Sequence, residues 1–477
     1  MRAAELFVRQ LEEEGVTHVF GLPGEENLYL LDALGKAGLR VVITRHEQAA
    51  AFMAATYGRL TGRAGVCFST LGPGATNLVT GVAHAQLIGA PLVSISAQKP
   101  RRENWQGKFQ LVDVTGIMKP VTKKTFSIVD PHSIPTVLRE AFKTAEAERP
   151  GAVHLELPED VAEEETRAPV QKRGEVRRPL ADPRSLERAA GLIEEAENPL
   201  IILSSGANRK RITRQLLDFI DRTGLYVVHT QMGKGVVPDD CENSLFATGI
   251  HRRDYVNCGI DRADLIITVG YNIVEYPPFL WNRNRDKKIL NLDFVESEPD
   301  PYFNPVVEVI GDIAHSLGRL GEMIARKRAF PVFARTRALL AARIREKAEP
   351  RYPLHPREVV RSVREALAPE DILTLDNGIY KLWFSRLYPA YRPNTFLLDN
   401  ALATMGAGLP AGIAAKMLFP ERKVLAVCGD GGFMMNSQEL DTALRCRVPV
   451  AVLLLNDNAY GFVKWKQENL RLENFGM

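Results

Sequence analysis

The sequence predicts an α/β protein built as three doubly wound parallel-sheet domains, and three observations carry that prediction. Short apolar runs alternate with amphipathic stretches from one end of the chain to the other, the pattern of parallel sheets covered by helices. Glycine-rich turns follow strand-like runs in the first and last segments, and ligands bind beyond such strand ends in open sheets. The length, 477 residues, suits two to four domains at roughly 100–200 residues each.

In the first segment the strand candidates are His18 to Phe20, Arg40 to Thr44, Gly65 to Ser69, Pro91 to Ser96 and Ala152 to Leu157, with helical periodicity between them. A charged, proline-containing stretch from Glu163 to Pro183 reads as a linker. The second set has strands at Leu200 to Leu203, Tyr226 to Thr230, Leu265 to Val269 and Ile289 to Leu292. A basic helical stretch then leads to a boundary at Tyr352-Pro-Leu-His-Pro356. The third set has strands at Ile372 to Leu375, Thr395 to Leu398, Val424 to Cys428 and Val450 to Leu455. The implied domains are 1–165, 186–330 and 356–477, with linkers at 166–185 and 331–355.

Composition narrows the function. The 61 basic against 58 acidic side chains leave a formal charge of only +3, so nothing calls for nucleic acid. The longest apolar runs, such as Val450 to Leu455, fall far short of the ~20 residues that span a bilayer, so no membrane role is expected. The N-terminus is acidic and helically periodic rather than a secretory signal, which predicts a soluble, cytoplasmic protein. Its five cysteines (Cys67, Cys241, Cys258, Cys428 and Cys446) form no CxxC pair and read as reduced thiols.

Three glycine turns stand out: Gly72-Pro-Gly-Ala-Thr-Asn77, Gly406-Ala-Gly-Leu-Pro-Ala411 and Gly429-Asp-Gly-Gly432. None is a dinucleotide fingerprint, since the first lacks the third glycine and the second follows Leu402-Ala-Thr-Met405 where a strand is required. The stretch from Gly429 to Asn458 reads strand, turn, helix, strand, turn. Asp430 ends one strand and Asp457 the next, so neighbouring parallel strands deliver two hard oxygen ligands to one side of a sheet, as Mg²⁺ prefers. Gly431 and Gly432 open the helix between them, where backbone amides can meet a diphosphate. By themselves both aspartates could simply cap turns.

This stretch resembles the signature of the thiamine diphosphate enzymes, and over nearly its whole length the chain looks most like the acetolactate synthase (acetohydroxyacid synthase) family. The resemblance implies a thiamine diphosphate-binding fold: a pyrimidine-side first domain, a Rossmann-like central domain and a diphosphate-side third domain. It implies Mg²⁺ bound by Asp430, Asp457 and the carbonyl of Ala459, with Gly429, Gly431, Gly432, Tyr460 and Gly461 beside the cofactor. Glu47, in Thr44-Arg-His-Glu-Gln-Ala49, takes the place of the family glutamate that hydrogen-bonds the aminopyrimidine; a partly desolvated carboxylate there can hold and share a proton. Met405 takes the place of the apolar residue beneath the cofactor, and Ala403 and Met405 offer backbone groups to the pyrimidine edge. Gly378, Ile379 and Tyr380 correspond to residues around the diphosphate, and Pro73, Asn77 and Gln110 to active-site positions beside Glu47. Phe109 and Gln110 would line the pocket for the second keto acid.

The implied reaction is the decarboxylating condensation of two pyruvate molecules to 2-acetolactate and CO₂, on sites shared between subunits of a homodimer or dimer of dimers. The family serves branched-chain amino acid biosynthesis or a catabolic, acetoin-forming route. Biosynthetic members carry flavin-contacting arginines in the central domain, whereas here the segment reads Gly270-Tyr-Asn-Ile-Val-Glu-Tyr-Pro-Pro278, closer to the catabolic type, so no bound FAD is expected. Glu26 stands where the catabolic type has lysine, and Trp465 and Lys466 depart at the acceptor side. The chain stops at Met477, before a strand–helix portion and tail that family members possess, so the third domain is expected to lack its C-terminal end and to leave an open sheet edge. The rival readings are another 2-keto acid decarboxylase or carboligase on this scaffold, and a non-catalytic cofactor-binding partner subunit.

Overall fold

The computed structural model describes residues 1–103, 109–174, 178–208, 210–251, 254–349 and 351–477. The chain divides into two compact units, one of Met1–Val176 with Ala401–Ala459 and one of Arg177–Asn400 with Tyr460–Met477.

In the first unit, β1 (His18–Gly21), β2 (Arg40–Ile43), β3 (Gly65–Ser69), β4 (Leu92–Gln98), β5 (Lys124–Ser127) and β6 (Ala152–Pro158) form a sheet in the order β2-β1-β3-β4-β6-β5. Every pairing is parallel. β3, β4 and β6 are buried throughout because helices cover both faces, which is why they read as unbroken apolar runs. β5 has no counterpart among the sequence-predicted strands: Lys-Thr-Phe-Ser has no apolar run, as suits an edge strand that is buried at neither end. The order of strands reverses between β1 and β3, and Gly24 and Thr70 approach there so closely that a Cβ on Gly24 would lie 2.4 Å from Thr70 Cβ.

The alanine-rich helix Glu47–Thr61 follows β2, and Pro73–Ile88 follows β3. Small side chains let them pack tightly: a Cβ on Gly81 would meet Ala51 Cβ at 2.4 Å. The polar stretch read as a linker begins as a strap on this unit. Thr166 N donates to the Met1 carbonyl, Ala3 N to Glu164, and Gln10 exchanges hydrogen bonds with the Gln171 backbone.

In the second unit, β7 (Pro199–Leu203), β8 (Tyr226–His229), β9 (Ser244–Ala247), β10 (Leu265–Val269), β11 (Lys288–Asp293) and β12 (Val307–Ile310) lie in the order β12-β11-β10-β7-β8-β9, all parallel. This is the doubly wound order with its switch between β7 and β10. The short edge strands β9 and β12 are likewise absent from the sequence-predicted set. The basic helix Pro331–Arg345 buries Phe333, Thr336 and Leu340, and Phe333 and Leu340 join the core of this sheet. The unit also holds β13 (Ile372–Leu375) and β14 (Phe396–Leu398), a parallel pair.

Back in the first unit, β15 (Val424–Gly429) and β16 (Ala451–Leu455) pair in parallel with Gly429 opposite Leu455. β16 is half exposed, Leu454 to 46%. Among the described residues no helix is long and apolar enough to cross a membrane.

Candidate active site

Glu47 is the first residue of its helix, delivered by the end of β2. His46 caps that helix: its Nδ1 accepts from Gln48 N at 3.0 Å, while Thr44 Oγ1 donates to the His46 carbonyl at 3.0 Å. The Glu47 side chain is 5% exposed, and Asn77 Nδ2, one turn into the neighbouring helix, donates to Oε2 at 2.9 Å. A Cβ on Gly74 would stand 3.3 Å from Glu47 Oε1, so that glycine keeps the face of the second oxygen open. Gly72 has φ +55°, and a Cβ there would lie 2.6 Å from the Gln110 carbonyl, which brings the Gln110 backbone against the turn. The structure thus gathers Glu47, Asn77, the 72–74 turn and the backbone of Gln110. Pro73, at the helix start, is exposed, as are the side chains of Phe109 and Gln110.

The same unit carries the other half of the predicted constellation. Asn436 Nδ2 donates to Gln48 Oε1 at 3.0 Å and to the Gly406 carbonyl at 2.8 Å, and Arg45 N donates to Glu439. Residues on both sides of Glu47 are therefore fastened to 401–459. Gly406 has φ +86°, and a Cβ on it would meet Asn436 Nδ2 at 2.8 Å. Beside it, Met405 is half-buried and Ala403 exposed, so Met405 is not ordinary core.

Asp430 follows the last residue of β15 and opens the helix Asp430–Asn436, with Gly431 and Gly432 in its first turn, where amides have no intrahelical acceptor. Asp457 lies two residues beyond β16 and accepts from Ala459 N at 3.3 Å, across an Asn458 with φ +52°. The register of β15 and β16 sets both carboxylates beyond the same strand ends. No cluster of three or more His, Cys, Asp or Glu side chains able to hold a metal occurs among the described residues. Two carboxylates and a nearby carbonyl are instead a hard-oxygen set that could hold Mg²⁺ with waters completing its shell.

In the second unit, Gly378, Ile379 and Tyr380 form the turn between β13 and the helix Lys381–Leu387, and a Cβ on Gly378 would strike the Tyr380 ring at 2.3 Å. Gly461, Trp465 and Lys466 lie on the helix Gly461–Asn469, which buries no residue, with Tyr460 at its start. Lys466 is exposed there.

Comparison with known proteins decides the family. The thiamine pyrophosphate enzyme N-terminal TPP binding domain matches residues 1–117, the central domain of these enzymes residues 186–320, and their C-terminal TPP binding domain residues 376–475. Acetolactate synthase of Bacillus subtilis (strain 168) is 32% identical over 482 residues, covering 98% of this chain and 83% of that protein. A probable acetolactate synthase large subunit of Methanocaldococcus jannaschii is 33% identical over 98% of this chain and 82% of its own length. The catabolic acetolactate synthase of Raoultella terrigena is 32% identical over 98% and 84%. The chain belongs to the acetolactate synthase family of thiamine diphosphate enzymes. It is accordingly a thiamine diphosphate-dependent enzyme of the carboligase type, with three parallel-sheet α/β domains matching the N-terminal, central and C-terminal domains of that family.

Within this acetolactate synthase-like chain the structure adds residues that the sequence patterns do not single out for these roles. Glu26 is buried, takes a hydrogen bond from Thr70 Oγ1 at 2.6 Å and pairs with Lys99 at 2.9 Å. Burial opposes ionisation of Glu26, but the Thr70 and Lys99 bonds outweigh it and hold the carboxyl below its usual range. Glu439 is fully buried and Lys381 nearly so. A lysine inside the apolar run Ile379-Tyr-Lys-Leu-Trp-Phe384 is a readable signal; nothing in the spacing around Glu439 is.

Proposed function

We propose that the enzyme condenses two pyruvate molecules to 2-acetolactate with loss of CO₂, using thiamine diphosphate and Mg²⁺. When bound, the cofactor supplies a thiazolium C2 nucleophile and an electron sink for the decarboxylation. The observation that carries the reading is Glu47: a buried carboxylate held by a neutral amide, with one oxygen face left open by Gly74, and fastened on both flanks to the segment bearing Asp430 and Asp457. Glu47 holds and returns a proton at the aminopyrimidine edge, which Ala403 and Met405 also meet. Asp430, Asp457 and the Ala459 carbonyl hold the metal. Gly429, Gly431, Gly432, Tyr460 and Gly461, with Gly378, Ile379 and Tyr380, surround the diphosphate. Gln110 and Phe109, with Trp465 and Lys466, face the acceptor keto acid.

The reading excludes bound FAD. Its support is the Gly270–Pro278 segment, where arginines are absent and Glu275 is buried, accepting from Ser204 Oγ, Thr230 Oγ1 and Met232 N at the ends of β7 and β8. The functional unit is a homodimer or dimer of dimers, supported by the exposure of Met434 and Leu444 in the first unit. A different acceptor is the second reading, favoured by Glu26, which binds Lys99 where the catabolic type presents a lysine. Incubation with thiamine diphosphate, Mg²⁺ and pyruvate, with the product identified by mass, tests the proposal: 2-acetolactate is expected, and acetaldehyde alone overturns it.

A further inference from the structure

The carboxylate of Glu439 is the most deeply buried acidic group facing the Glu47 turn, and it reaches that turn from 394 residues away. It opens the short helix Glu439–Arg445 and accepts Arg45 N through Oε1 at 3.0 Å and Oε2 at 3.3 Å. The His46 N–H also stabilises its charge, and Thr442 Oγ1 donates to Oε2 at 2.6 Å. Burial pushes the Glu439 carboxyl above its usual range, against these hydrogen bonds and the Arg445 charge. Arg45 and His46 precede the Glu47 helix, so their N–H groups have no intrahelical acceptor and take this one.

Other bonds surround the grip. Arg45 Nε donates to Asp441 at 2.6 Å, Arg445 donates to the same carboxylate at 2.7 Å and to the Ile43 carbonyl at 2.7 Å, and Asn436 holds Gln48. The Arg45–Asp441 pair is nearly half exposed on both sides, and such pairs contribute little. A buried charge is different: it persists only where its hydrogen bonds are all made, so it fixes geometry.

We propose that Glu439 is a positioning residue for Glu47: its buried carboxylate clamps the Arg45–His46 backbone, so that the segment bearing Asp430 and Asp457 also sets the angle at which Glu47 meets the cofactor. This rests on the reading of Glu47 as the proton-handling group. Glu439 touches no reacting atom; it acts through the turn, and displacements of about 1 Å at such groups cost up to about 10²-fold in rate.

The test uses holoenzyme with thiamine diphosphate and Mg²⁺ and reads three quantities: C2 proton–deuterium exchange of the bound cofactor, cofactor affinity by calorimetry, and amide deuterium uptake over residues 45–48. Glu439→Ala is expected to slow C2 exchange about tenfold or more, to raise uptake at Arg45 and His46, and to leave affinity nearly unchanged. Glu439→Gln, whose amide oxygen can accept the same N–H groups, is expected to recover most of the exchange rate. Should Glu439→Ala fail to fold, Glu439→Asp decides, because it keeps the charge but draws it back from the turn; slower C2 exchange supports the clamp. Wild-type exchange in Glu439→Ala, or in Glu439→Asp where Glu439→Ala does not fold, while Glu47→Gln is slow, overturns the positioning role and leaves Glu47 standing. Wild-type exchange in Glu47→Gln overturns both.

Discussion

Asn77 Nδ2 donates to Glu47 Oε2 across 2.9 Å, so the buried carboxylate is oriented by a neutral amide and not by a cation. The amide fixes the side chain in place, and a carboxylate so placed is a group that can take up and return a proton. Glu47→Gln keeps shape and the Asn77 contact but removes that capacity. C2 exchange of bound thiamine diphosphate should fall by on the order of 10²-fold while the cofactor still binds. Exchange at the wild-type rate, followed by NMR of quenched samples, would show that another group handles the proton.

Asp430→Ala and Asp457→Ala each remove one of two carboxylates at the ends of adjacent strands. A doubly charged ion left with a single carboxylate neutralises a diphosphate poorly, so cofactor affinity should collapse in either variant even at high Mg²⁺. Calorimetric titration checks this. Normal binding in either variant would mean the metal is held elsewhere.

Much of this architecture is legible in the amino-acid sequence. The buried strands β3, β4 and β10 read as apolar runs because both faces are covered, and Asp430 and Asp457 stand out because each closes such a run. The strands β5, β9 and β12 do not: β5 and β12 alternate with polar or exposed positions, and β9, though buried, is a four-residue Ser-Leu-Phe-Ala segment too short to show a period. Glu439 is invisible for another reason: its role depends on a partner 394 residues away, and no local pattern distinguishes it from an ordinary acid at a helix start.

The flavin reading makes its own prediction. Glu275 satisfies two hydroxyls and one backbone amide at the carboxyl edge of the central sheet, and Gly206 N donates to the Gly270 carbonyl at 3.0 Å nearby. Purified protein should be colourless, and added FAD should neither bind nor raise activity. Glu275→Ala should lose roughly 3 kcal/mol of stability in urea unfolding, because buried donors are left unpaired. A stoichiometric yellow cofactor in the wild type would refute the flavin-free assignment.

Lys381 supplies a pH test of the second unit. Its Nζ donates to Asn377 Oδ1 at 2.9 Å and Asn400 Oδ1 at 2.8 Å, and lies 5.7 Å from the centre of the Phe462 ring. Among the described residues no carboxylate pairs with it, and burial pulls the amine down from 10.5 to about 8. Below pH 8 the ammonium is charged in both folded and unfolded chains, and the folded state bears the full penalty of burying it. Between about 8 and 10.5 the unfolded chain still holds a proton that the folded chain has released, so this group's contribution to stability rises with pH across that window and levels off above it. The difference corresponds to about 3 kcal/mol. Lys381→Met fills the same space without a charge, and should therefore be more stable than wild type at pH 7 by up to about that amount, less what the two freed asparagine oxygens lose. The advantage should shrink as pH rises from 8 to 10. Urea midpoints for both proteins at pH 7, 8.5 and 10 measure it; a gap that stays constant would mean that the amine remains solvated in the folded chain.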